Sequence, residues 1–126
     1  MPNAPHSPAE LARVFNAPLS SDDIVSHIDT RCINLGIAPS LIARIELALE
    51  ALLAMLIRPE FGVGANDEIE IVVETQANGL EIRFRDNSPA FDPHVLADPE
   101  FARLCSSAEC RFDETAQCNR INLSFF

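Results

Sequence analysis

The sequence predicts an α+β fold, with helices beside a mainly antiparallel sheet. Three observations carry that prediction. A short amphipathic segment and a strongly apolar one follow each other, each preceded by helix-start chemistry. Two alternating runs flank Asn78-Gly79, and a second alternating pair closes the chain. A length of 126 residues gives room for one domain, placed at 10–126 behind a flexible arm at 1–9.

The elements follow in order. The arm is proline-rich and lacks the apolar stretch of a signal peptide, so a cytoplasmic location with reduced cysteines is expected. Leu11–Ala17 ends at Pro18 and suits an edge strand. Ser20-Ser21-Asp22-Asp23 offers cap oxygens and acids to the positive end of a helix over Asp22–Leu35, which Gly36 stops. Pro39-Ser40 opens a second helix that persists to about Ile57. This helix is apolar almost all round, which predicts a central, sandwiched position. Its conspicuous acids, Glu46 and Glu50, share one face at i, i+4, and with Arg44 they argue against a membrane span.

A loop with Gly62 and Gly64 leads to strands at Glu68–Thr75 and Leu80–Asp86. Taking Asn78-Gly79 as a type I′ turn pairs Thr75 with Ile82, Val73 with Phe84 and Glu74 with Arg83. Apolar residues then share one face, and counting on by two from Phe84 puts Asp86 on that face as a lone carboxylate. Asn87–Pro99 reads as loop, Pro99–Leu104 as a short helix, and Ala108–Asp113 with Asn119–Phe125 as a closing hairpin.

Composition narrows the chemistry. Nineteen acidic residues against nine basic ones give a net charge of −10, which disfavours nucleic acid and anionic membranes as partners. Every basic residue is arginine, so phosphate-binding or Schiff-base lysine chemistry is excluded. The four cysteines contain no CxxC pair, and a zinc set of Cys105, Cys110, Cys118 and His94 lacks the usual ligand spacing. They read as small, semi-buried hydrophobes. His27 reads as a surface or boundary residue.

The strings IELALEALLAML and DNSPAFDP, in this order and separated by a hairpin, resemble the anti-sigma-factor serine kinases of the histidine-kinase-like (GHKL, Bergerat-fold) ATPase superfamily. The family's helix motif reads roughly IELAxxEAxxNAxxH and its strand-end motif DxGxxFDP; the closing CNRINLSF is similar to its final strand. The resemblance implies a Glu that activates a nucleophile, an Asn that ligates Mg²⁺ and an Asp that accepts a hydrogen bond from the adenine amino group. Two alignments of the helix motif are open. Matching Leu47-Ala48-Leu49 puts Ala51 at the Glu position and Met55 at the Asn position; sliding by one recovers Glu50 as the acid and puts Ala54 at the Asn position. Neither supplies a Mg²⁺ ligand, so Mg²⁺ is not expected.

In the second motif Asp86 takes the adenine-reading position, with Asn87, Ser88 and Phe91 beside it as nucleotide-pocket positions. Ser88 stands where the family has glycine. No glycine follows Gly79, so the glycine-rich lid that wraps phosphates in the family has no counterpart. ATP or ADP binding at Asp86 stays open. The resemblance therefore implies a two-layer α/β sandwich of the Bergerat type, its mainly antiparallel sheet covered on one face by helices, and a regulatory protein with weakened or lost Mg-ATP chemistry. Its expected partner is a sigma factor or an anti-sigma antagonist in bacterial partner-switching signalling, and a homodimer is among the expectations. The alternatives are an active serine/threonine protein kinase with Glu50 as base, and a cysteine-based metal or redox sensor.

Overall fold

A computed structural model describes residues 12–16, 21–56, 68–77, 79–87 and 98–126, with no statement on the side chains of Ala12, Asn16, Met55 and Leu56. The arm at 1–9, the ends of the first predicted strand, Gly62, Gly64, Asn78, Ser88, Phe91 and His94 lie outside those residues. Five strands, β1 (Ala12–Asn16), β2 (Glu68–Gln76), β3 (Gly79–Asp86), β4 (Ser107–Asp113) and β5 (Cys118–Phe125), form one antiparallel sheet in the order β1-β2-β3-β5-β4. Among the described residues the helices are α1 (Ser21–Asn34), α2 (Pro39–Leu56) and α3 (Pro99–Leu104). The α+β class and the antiparallel sheet are thus as the sequence predicts.

Alternation builds the inner face of the sheet. Ile69, Ile71 and Val73 on β2, Leu80, Ile82 and Phe84 on β3, and Ile121, Leu123 and Phe125 on β5 are all buried. They form one cluster with Ile24, Ile28 and Cys32 of α1, with Ile45, Ala48, Leu49, Leu52 and Leu53 of α2, and with Phe101 of α3. The core therefore lies between the helices and one face of the sheet.

Local chemistry sets the element ends. After α1 the Ile37 N–H donates to the Cys32 carbonyl (3.0 Å) and the Gly36 N–H to Ile33 (3.1 Å), with Gly36 at φ +75°. This is the paired bonding of a Schellman stop, which requires the left-handed conformation that glycine adopts without penalty. Asp98 caps α3 by accepting from the Glu100 N–H (3.0 Å), with Pro99 at the first helical position. Arg44 of α2 donates to the Leu104 carbonyl (3.2 Å), fastening the end of α3 to α2. Asp113 accepts from the backbone N–H of Thr115 and Ala116, which closes the β4–β5 turn.

Two expectations require correction. The helix α2 is not covered on all sides: Ala43, Leu47, Glu50 and Ala54 form an exposed stripe, and Leu47 is 54% accessible. Its core face is the complementary set at 45, 48, 49, 52 and 53, and with a single sheet beneath it the opposite side remains open. The β2–β3 register is also shifted by two residues. Gln76 pairs with Gly79, so Val73 faces Ile82 and Ile71 faces Phe84. Gly79 belongs to the strand, opposite Gln76, and a Cβ there would overlap the Phe125 carbonyl oxygen. Its absent side chain lets two backbones approach, a different use of glycine from the turn the sequence suggests. A shift of two preserves faces, so the predicted inner set survives. Among the described residues no helix is long and apolar enough to cross a membrane.

Candidate functional site

Asp86 is the last residue of β3 and lies on the inner face, 3% exposed. The register sets it between Ile69 of β2 and Asn119 of β5. Asn119 is 1% exposed, and its Nδ2 donates to Asp86 Oδ1 at 3.3 Å. A buried carboxylate and a buried amide therefore face each other at the end of an otherwise apolar surface. Leaving either without a partner would cost about 1–3 kcal/mol, so the pair is a unit. The next residue points the other way: Asn87 is exposed, and its Oδ1 accepts from the Glu68 N–H at 2.9 Å. Asn87 thus ties the end of β3 to the start of β2.

Of the remaining sequence-predicted site residues, Glu50 and Ala54 do not join this pair. Glu50 and Ala54 lie on the exposed stripe of α2, away from its core face. Met55 lies in α2, and Ser88 and Phe91 fall outside the described residues. Asn119 is the buried polar residue for which the sequence reading gave no role. Its signal was available: counting back by two from Phe125 through Leu123 and Ile121 lands on Asn119, the counterpart of the count that reached Asp86.

Burial disfavours the thiolate form at three of the four cysteines. Burial pushes Cys32 and Cys105 up to about 11 and also raises Cys110, so thiolate is scarce at neutral pH. All four cysteines are free, and no group of three His, Cys, Asp or Glu side chains able to hold a metal ion occurs among the described residues. His27 is half-buried at the β1–α1 contact, with its ring edge-on to Phe15 at 5.6 Å between centroids. Desolvation lowers its pKa, and Arg13 and Arg31 lower it further.

No protein-family model matches the chain, and no curated protein matches it.

Proposed function

We propose that the chain is an anti-sigma-factor-like regulatory protein of the histidine-kinase-like ATPase lineage, acting mainly by binding other proteins, with Mg-ATP chemistry weakened or lost. The observation that carries this reading is the separation of its candidate groups. Phosphoryl transfer needs a base, a metal ligand and a nucleotide held together within contact distance. Here Glu50 faces solvent on α2, Ala54 on the same stripe offers no ligand, and Asp86 is turned into the core against Asn119.

The sequence resemblance supplies the lineage and the kind of partner, a sigma factor or an anti-sigma antagonist. The α+β architecture with helices over one face of an antiparallel sheet is compatible with a Bergerat domain. The exposed stripe of α2, with Leu47 and two alanines beside Glu50, gives a mixed apolar and acidic surface of the kind that protein contacts use.

Calorimetric titration with Mg-ATP and Mg-ADP, followed by a phosphoryl-transfer assay on an anti-sigma antagonist, tests the reading. The expected result is no micromolar binding and no transfer. Micromolar binding with transfer of the terminal phosphate would overturn it.

A further inference from the structure

The outer face of the sheet, opposite the helices, carries a charge pattern that the proposed function does not use. In the row across it Glu70 pairs with Arg85, Arg85 with Arg120, and Arg120 with Arg111. Three guanidinium side chains thus stand directly opposed on β3, β5 and β4 in a chain that has only nine arginines against nineteen acids. Directly opposed like charges disfavour strand pairing, and a chain this acidic could have interleaved every arginine with a carboxylate. Two arginines of this face are paired in that way: Arg83, beside the row, binds Glu74 and Glu81, and Arg120, at the centre of the row, binds Asp113 at 3.0 Å. Arg85 and Arg111 are exposed and make no ion pair among the described residues.

These arginines line a shallow groove of about 430 Å³ together with Glu70, Glu109 and Asn122. Adjacent strands lie about 4.8 Å apart, so the row spans about 10 Å from Arg85 to Arg111. We propose that this groove is a binding site for a compact, multiply charged phosphate group such as a di- or triphosphate. Guanidinium forks recognise phosphate through paired N–H···O bonds, and the terminal oxygens of a diphosphate can serve adjacent forks at once. A single carboxylate is saturated by one fork.

The surroundings fix the size of the ligand. Glu68, Glu70, Glu74, Glu81, Glu109 and Asp113 alternate on the same outer face and ring the arginine row. A nucleic acid strand or a long acidic polypeptide would run from the arginines onto these carboxylates. A small anion can bridge Arg85 and Arg111, which make no ion pair among the described residues, without extending over the surrounding carboxylates. The site lies on the face opposite Asp86, so it is independent of any nucleotide pocket there.

Isothermal titration calorimetry at low ionic strength tests the site with inorganic pyrophosphate, tripolyphosphate and citrate as probes. Wild type is expected to bind both phosphate probes and to bind citrate more weakly. Arg85→Ala and Arg111→Ala should each weaken pyrophosphate binding about tenfold, and the double variant should abolish it. Asp86→Asn, on the other face, should leave it within about twofold. The substituted side chains are exposed, so unchanged circular dichroism is expected for every arginine variant. Absence of binding by wild type, citrate bound as tightly as pyrophosphate, a double variant that binds normally, or loss of binding in Asp86→Asn would each overturn the proposal.

Discussion

Arg83 of β3 reaches diagonally across the sheet to Glu74 of β2, with Nη2 at 2.8 Å from Oε1 and Nη1 at 3.2 Å from Oε2. The same Nη1 donates to Glu81 at 2.8 Å. Glu74 and Glu81 are directly opposed in the ladder, so one guanidinium holds together two carboxylates that would otherwise repel. The bond to Arg83 keeps the Glu74 carboxyl below its ordinary range. Arg83→Ala should destabilise the chain by about 0.5–1 kcal/mol, a small effect because the side chains are about 40% exposed. Urea unfolding should show the loss shrinking at high salt. Glu81→Gln in the Arg83→Ala background should recover part of it.

The Asp86–Asn119 pair is buried, and its loss should be larger. Asn119→Ala leaves the Asp86 carboxylate without this donor and should cost about 2–4 kcal/mol in urea unfolding. Asp86→Asn keeps a hydrogen-bonding oxygen opposite the amide and should cost less than half of that. Equal costs for the two variants would show that the pair does not act through this bond.

Gly79→Ala should be costly despite its place beside a turn. The added Cβ meets the Phe125 carbonyl oxygen and lies 2.9 Å from its carbonyl carbon, so backbone must shift. A loss of about 2–3 kcal/mol is expected. Because the obstruction is backbone on β5, amide exchange should accelerate at the end of the β3–β5 ladder more than in α1.

Stability should also depend on pH in two separate windows. The folded chain holds His27 below its ordinary value of 6.5, and its Nε2 is buried without a hydrogen-bond partner. As pH falls below about 6.5 the unfolded chain takes up a proton that the folded chain resists, so stability declines and then levels off once the folded imidazole also protonates. Desolvation and the facing Arg13 and Arg31 both set this sign. In the second window Glu74 and Asp113, held below 4.5 and 3.8 by Arg83 and by the turn N–H groups with Arg120, lose their contribution as they protonate. Urea midpoints measured against pH should show both declines. His27→Gln should remove the upper one and leave the lower one.

Much of the fold was legible because the signals were local. The alternation at 69–73 and 80–84, the stop at Gly36 and the Pro99 helix start each depend on a few neighbouring residues. Long-range relationships were harder to read. The period of α2 separates 45, 48, 49, 52 and 53 from 43, 47, 50 and 54, yet alanines and Leu47 on the open side make both faces look apolar. Glu50 looked catalytic by motif but sits on the open side. Gly79 looked like a turn residue because its obstruction comes from Phe125, remote in sequence. Asp86 was placed on the inner face by counting, whereas its partner Asn119 depends on β5 lying beside β3.

The polar pair at the end of β3 also acts as proofreading for assembly. Alternating apolar strands distinguish a slip of one residue, which would turn the core outward, but are blind to a slip of two, which keeps every face. On the β3–β5 ladder a slip of two in one direction would set Asp86 against Ile121, and in the other would set Asn119 against Phe84. Either error breaks the Asp86–Asn119 bond and sets a buried polar group opposite an apolar residue. At the other end of the same β3–β5 ladder, Gly79 beneath the Phe125 carbonyl adds a steric constraint. One polar couple and one missing side chain thus convert a repetitive pattern into a single alignment.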